Sequence, residues 1–182
     1  MDTKNSIRKN FFLKRKKNYY KKNKNFFSPI IKLLKKKKFK DYKSISLYYP
    51  SNHEINILSV LNIEFFKKFK FYLPVIEDNN MNFYQWKKND VLLVNKYGIL
   101  EPLKTNKSIP RVILVPLLAF DQRKYRVGYG KGFYDKYLHK YFKINKKILT
   151  IGIAFSFQKH HKLPINTKDF KLDHILTEKG FV

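Results

Sequence analysis

Gly128, Gly130 and Gly132 fall at alternate positions, with Arg126 just before them, Lys131 among them and Asp135 just after. Glycine lacks a Cβ and takes positive φ readily, so such a stretch lets main-chain N–H groups close around an anion. Arg126 and Lys131 add full positive charge where a polyphosphate would lie. Phe133, Tyr137, Leu138 and Tyr141 follow at helical spacing. The stretch therefore opens onto a helix N-terminus, whose free N–H groups and dipole favour the same charge. The chemistry indicated is capture of a nucleotide's phosphates. The spacing G-x-G-x-G is neither the dinucleotide fingerprint nor the P-loop, and a turn that merely reverses the chain uses the same glycines. Asp135 falls in the first helical turn, where it either complements the dipole or ligates a divalent cation lying against phosphate.

The elements that must position these residues alternate between strand and helix. An apolar run at 112–115 reads as a buried strand, broken at Pro116, and a polar turn at 121–126 leads into the glycines. Further strands are predicted at 44–49, with Ile45, Leu47 and Tyr49 on one face, at 71–76, at 81–86, at 147–155 and, last and short, at 175–177. Pro50 ends the first, and Pro74 marks the second as an edge or a strand end. A short apolar run at 91–94 precedes a loop from Asn95 to Pro102. Helices are predicted at 3–20, with Ile7, Phe11, Phe12 and Tyr19 along one face, and at 29–34. Lys4 and Arg8 share a face of the first helix, with Arg15 two turns on, and a solvated helix surface accounts for such cations. Ser51-Asn52-His53-Glu54 matches a capping box before Ile55, Leu58, Leu61 and Phe65. The lone Trp86 is expected to be partly buried. Asp169 and Asp173 stand out in the tail, as solvated residues or as a second metal carboxylate. The pattern predicts one α/β domain over 1–182: a layered, largely parallel sheet flanked by helices, with a glycine-rich phosphate loop at a strand's carboxyl end.

Composition narrows the classes. With no cysteine, neither a disulfide framework nor a thiolate metal site is available, and the five histidines form no zinc pattern. No apolar run approaches the roughly 18 residues of a membrane span, and no signal-peptide pattern leads the chain, so a cytoplasmic protein is expected. The formal charge of +27 invites a nucleic-acid reading, with sixteen Lys or Arg among the first forty residues. The excess recurs at 67–70, Lys87–Lys88 and Lys146–Lys147, and is nearly all lysine in a chain also rich in Asn, Ile, Tyr and Phe. A/T-rich codons produce that profile without a selected ligand. No RNP motif, zinc-finger spacing or helix-turn-helix accompanies it, so nonspecific adhesion at low salt is expected rather than a dedicated nucleic-acid role.

The central segment, VPLLAFDQRKYRVGYGKGFYDKYL, resembles the V-P-G-L-A-F-D-x-x-G-x-R-L-G-x-G-x-G-Y-Y-D-x-Y-L pattern of the 5-formyltetrahydrofolate cyclo-ligase (5,10-methenyltetrahydrofolate synthetase) family. Lys4-x-x-x-Arg8, Tyr49-Pro50 with Glu54, Leu73-Pro74-Val75, Asn95-Lys96-Tyr97-Gly98-Ile99-Leu100-Glu101-Pro102, and Leu163-Pro164 with Asp169 follow in family order over nearly the whole chain. The resemblance implies ATP-dependent ring closure of 5-formyltetrahydrofolate to 5,10-methenyltetrahydrofolate with Mg²⁺, ADP and phosphate leaving, in a monomer with no specific nucleic-acid or membrane partner. It places ATP against Lys4, Arg8, Arg126, Val127, Gly128, Tyr129, Gly130, Lys131, Gly132, Phe133 and Tyr134. Of these, Arg126, Lys131 and Tyr134 are the catalytic set. It further implies folate at Tyr49 and Glu54, and the metal at Asp135 and Asp169.

Departures from the pattern are specific. Leu117 and Lys124 replace glycines, Val127 replaces leucine, Phe133 replaces tyrosine, Asn166 stands where an acid is common, and Ile57 replaces threonine. Lys124 is expected to reshape its loop, because a residue with a Cβ resists positive φ. Two alternatives stand beside the cyclo-ligase: a basic nucleic-acid-binding α/β protein, and a family member that binds ATP or folate without turnover.

Overall fold

The computed structural model describes residues 3–22, 24–144 and 147–182; Lys146, counted above for its charge, lies outside them. In chain order its helices and strands are α1 (Lys4–Asn18), α2 (Ser28–Leu34), β1 (Ser44–Ser46), β2 (Lys70–Glu77), β3 (Asn80–Gln85), β4 (Leu92–Val94), β5 (Leu100–Pro102), β6 (Lys107–Ser108), β7 (Val112–Pro116), β8 (Ala119–Phe120), β9 (Arg126–Val127), α3 (Phe133–Ile144), β10 (Leu149–Ile153), β11 (His174–Thr177) and β12 (Gly180–Phe181). Eight strands form one sheet in the order β12-β11-β10-β7-β1-β2-β3-β6. The run from β11 through β2 is parallel, and β12, β3 and β6 join antiparallel. The fold is a mixed, mostly parallel α/β sheet flanked by helices.

Both faces of the central strands are covered, which is why they read as continuous apolar runs. Val112 and Leu114 of β7 point into a core with α2, Phe66 and Trp86, while Ile113 and Val115 point into a second core under Tyr137 and Leu138 of α3. Trp86 is 3% exposed, a full core residue rather than the partly buried one expected. A third, smaller cluster seats α1 on the β8–β9 hairpin through Ile7, Ala119, Val127 and Leu163, with Phe11 packed against it. α1 starts where the Thr3 hydroxyl accepts from the Ser6 N–H, and ends on Arg15, Lys16 and Lys17, the charge its dipole favours.

Pro74 lies on β2, inside the sheet and not at its edge. The Phe71 carbonyl accepts from Trp86, so Tyr72, Pro74 and Ile76 turn their main-chain groups toward β1. That strand has already ended: its last bond runs from the Leu47 N–H to the Tyr72 carbonyl, and the Ile76 N–H finds Glu101 Oε1 at 2.8 Å instead. The missing proline N–H thus falls where no strand requires it.

The predicted capping box is half formed. The Ser51 N–H donates to Glu54 Oε2 at 2.9 Å, but Asn52 and His53 take φ of 48° and 63° and break the turn. No α-helix follows; Asn56 caps a 3₁₀ segment, Ile57–Asn62, and a second spans Glu64–Phe66. The expected last strand at 175–177 is β11, whereas β5, β6, β8, β9 and β12 were outside the strands expected from sequence, and the apolar run at 91–94 contains β4. The loop Asn95 to Pro102 is in fact the turn and return strand of a hairpin.

Candidate active site

Four segments converge at the carboxyl ends of the parallel strands. β7 ends in Pro116, and the chain beyond β1 carries Tyr48 and Tyr49; both border a cavity of about 740 Å³. The cavity is closed by Lys4 and Arg8 of α1, the glycine stretch with the first turn of α3, the β4–β5 hairpin around Tyr97, and the tail around Asp169. The structure brings together here the residues that the resemblance marked, Lys4, Arg8, Tyr49, Glu54, Arg126 through Asp135, and Asp169, but not Asp173.

The glycine stretch is held open by its neighbours. Gly130 has φ 102°, and a Cβ there would sit 3.3 Å from Arg8 Cζ, so only glycine lets the loop lie on that guanidinium. Arg8 Nε donates to the Gly128 carbonyl at 3.0 Å. Lys131 is exposed at the mouth, 5.8 Å from the Tyr97 ring centroid. Arg126, 7% exposed, reaches Asp135 Oδ1 at 3.0 Å and the Phe170 carbonyl at 3.2 Å. The Phe170 N–H donates to the same Asp135 oxygen at 3.0 Å. The Tyr134 hydroxyl is buried and has no hydrogen-bond partner among the described residues, with burial, and then the Glu54 charge, pushing its ionisation well above the ordinary tyrosine range. It stays protonated, a buried donor on a residue that lines the cavity.

Asp169 is not a solvated tail residue: Lys4 Nζ donates to both its oxygens at 2.6 and 2.5 Å, and the Asn166 N–H donates to Oδ2 at 2.6 Å. Asp173 is half-buried and does not line the cavity; its Oδ2 accepts from the Thr150 N–H and hydroxyl at 2.8 and 2.7 Å, which ties the tail to β10. Two carboxylates on one cavity wall suit Mg²⁺, which takes hard oxygen ligands and usually one or two carboxylates plus substrate phosphates. Among the described residues no three His, Asp or Glu gather as a metal cluster, so a metal held here would need ligands from substrate and water as well.

Glu54 is 7% exposed. Burial holds its carboxyl above the ordinary carboxylate range, opposed by the Ser51 N–H, the Arg15 guanidinium and the Tyr129 hydroxyl. Tyr129 donates to Glu54 Oε1 at 3.2 Å, and its own ionisation is pushed up to about 12, chiefly by burial and then by the Glu54 charge. The sequence reading missed Arg15, whose side chain is buried rather than solvated. Its signal was there in the stripe Ile7, Phe11, Arg15, which repeats every four residues along the face that packs inward.

Three of the departures from the family pattern, Lys124, Leu117 and Asn166, have local contacts that accommodate them. Lys124 does adopt the left-handed conformation, at φ 68°, while the Leu172 N–H donates to its carbonyl and its Nζ donates to the Asp173 carbonyl at 2.9 Å. These bonds offset a conformational cost of roughly 1–2 kcal/mol. Leu117 packs over Gly152, where any Cβ would lie 2.9 Å from Leu117 Cδ2. Asn166 is a turn residue, its Oδ1 accepting from the Lys168 N–H at 2.9 Å.

Known proteins share this sequence and this fold. A 5-formyltetrahydrofolate cyclo-ligase of Haemophilus influenzae is 30% identical over 142 residues, covering 74% of this chain and 75% of the relative. The solved structure of Aquifex aeolicus 5,10-methenyltetrahydrofolate synthetase superposes with a TM-score of 0.75 at 32% identity, over 98% of this chain and 91% of that one. A 5,10-methenyltetrahydrofolate synthetase structure from Mycoplasma pneumoniae gives a TM-score of 0.72 at 26% identity, over 97% and 98%. Residues 1–178 match the model of a single enzyme family, and the chain belongs to it: the 5-formyltetrahydrofolate cyclo-ligase family.

Proposed function

We propose that this protein closes 5-formyltetrahydrofolate to 5,10-methenyltetrahydrofolate at the expense of ATP, releasing ADP and phosphate. One observation carries the reading: a single cavity joins a glycine stretch flanked by Arg8, Arg126 and Lys131 to a buried carboxylate, Glu54. The first suits a polyphosphate. The second suits a neighbouring pair of N–H donors such as those on the edge of a 2-amino-4-oxopteridine.

An N-formyl oxygen is a poor leaving group until it carries a phosphoryl group. In this reading the formyl oxygen attacks the γ-phosphorus, the bond to ADP breaks, and the folate's N10 attacks the activated carbon. N10 loses its proton and the carbon–oxygen bond breaks with phosphate as leaving group. Such chemistry asks the protein for alignment and charge rather than a covalent nucleophile. Arg126 and Lys131 would lie against the transferred phosphoryl group, with Lys4 and Arg8 on the remaining phosphates. Tyr134 would donate its unpartnered hydroxyl to the formyl or phosphoryl oxygen, and Glu54 with Tyr49 would orient the pterin. Asp135 and Asp169 would hold Mg²⁺, which when bound offsets phosphate charge. The reading takes the protein as a cytoplasmic monomer.

Purified protein given 5-formyltetrahydrofolate, ATP and Mg²⁺ should form the methenyl product, seen by its absorbance, with one phosphate per product. Binding of either substrate without product would mark a family member that has lost turnover, and overturn the proposal.

A further inference from the structure

Arg15 occupies the third step of the inward stripe of α1, and it is 1% exposed. One terminal nitrogen donates to the Leu117 carbonyl at 3.0 Å, the other to the Tyr129 hydroxyl, and Cζ lies 5.6 Å from the Tyr129 ring centroid. The Tyr129 hydroxyl donates to Glu54 Oε1, and the other carboxylate oxygen accepts from the Ser51 N–H at 2.9 Å and the Ser51 hydroxyl at 3.4 Å. Arg15 Nε is buried with no hydrogen-bond partner among the described residues. A guanidinium in that condition is a poor device for stability, since burying a charge costs several kcal/mol that an apolar side chain avoids. If pinning α1 were its task, another residue like Ile7 would serve better.

The surroundings of Glu54 show what the charge does instead. Tyr129 faces it from the glycine stretch, Tyr134 from α3, Tyr48 from the segment after β1, and Arg15 from α1. Tyr48 spends its hydroxyl on the Ile55 carbonyl at 3.0 Å, and the Tyr134 hydroxyl has no hydrogen-bond partner among the described residues. Arg15 supplies the cation of that ring, and its fork fixes the tyrosine that fixes the carboxylate.

We infer that Arg15 is a positioning residue of the folate site, holding the Tyr129 hydroxyl, and through it Glu54, in place for the ligand's paired N–H donors. The inference rests on the reading of this cavity as the folate site. Because Tyr129 belongs to the phosphate-facing stretch, the two subsites share one hydrogen-bonded chain. Without Arg15 the carboxylate keeps the burial that favours its protonated form and loses a charge that opposes it, so folate binding fails at a higher pH.

The test is calorimetric titration of 5-formyltetrahydrofolate, without ATP, into wild type, Arg15→Met, Arg15→Lys and Tyr129→Phe. It runs from mildly acidic to mildly alkaline pH, with a melting curve for each protein. Arg15→Met and Tyr129→Phe should weaken binding about 10- to 100-fold at neutral pH, the scale of a lost hydrogen bond to a charged group. In Arg15→Met the acid-side fall in affinity should begin at higher pH than in wild type. Arg15→Lys should recover part of the loss, keeping the charge without the fork. Folded variants with wild-type affinity and pH profile overturn the inference and leave Arg15 an anchor of α1. Tyr129→Phe decides the matter where the arginine variants do not fold. A wild type that takes up no 5-formyltetrahydrofolate overturns the functional reading itself, and this inference with it.

Discussion

At the residue scale, the site is a set of charges already matched to one another. Asp135→Asn should lower kcat about 10²-fold or more, the usual loss when one electrostatic stabiliser is removed, while the fold survives. The carboxamide oxygen can still accept from the Phe170 N–H, so packing is kept and charge is lost. Wild-type turnover in the variant would remove Asp135 from the metal assignment. Lys131→Ala should raise the apparent KM for ATP about tenfold with little change in melting temperature, because the side chain is exposed. An unmoved KM would place the phosphates elsewhere. Glu54 gives a pH prediction. Its carboxyl is held up by burial, so its favourable contribution to folding is present below the unfolded value of ~4.3 and lost as pH rises through the folded one. The melting temperature of Glu54→Gln relative to wild type should therefore climb across that interval. A flat difference would show that burial is not the dominant influence. The glycines, Arg126 and Asp135 were legible because rare residue types at close spacing announce them. Arg15 was missed because a helix cation is ordinarily solvated, and only its place in line with Ile7 and Phe11 marks it as facing inward.

At the element scale, the core strands were legible wherever both faces are covered, as at β7 and β10, whose residues are nearly all apolar. Strands with one face to solvent, or of two residues, left no such trace: β4 carries exposed Leu93 and Val94, and β8 and β9 have two residues each. The run after Glu54 was misread because its spacing fits a helix, while two left-handed residues, Asn52 and His53, set a different entry angle. Packing between elements makes its own prediction at β10. A Cβ on Gly152 would meet Ile175 Cδ1 at 2.6 Å and Leu117 and Leu172 methyls at 2.9 Å. All three side chains are buried, so Gly152→Ala should cost about 1–3 kcal/mol as an overpacked core. Denaturant unfolding measures it, and an unchanged midpoint would mean that β10 and β11 can part to make room.

On the scale of the whole molecule, a formal charge of +27 will draw any polyanion. Affinity for random-sequence DNA should fall by orders of magnitude between about 50 and 200 mM salt, as counterion release requires, with no preference among sequences. Binding that persists at the upper concentration and selects a sequence would restore a nucleic-acid role. Among the described residues no helix is long and apolar enough to cross a membrane. Fold class and the clustering of the motifs followed from the order of elements along the chain; the hairpin that roofs the cavity did not. One contact has a temporal meaning. Lys4 and Asp169, joined across the cavity, are 165 positions apart. A ribosome must deliver nearly all of this stretch before they can meet, and closures of such long span form late. Until then the nascent polypeptide presents an unneutralised ammonium and half a pocket, and the wall that Asp169 supplies closes only when these distant stretches meet.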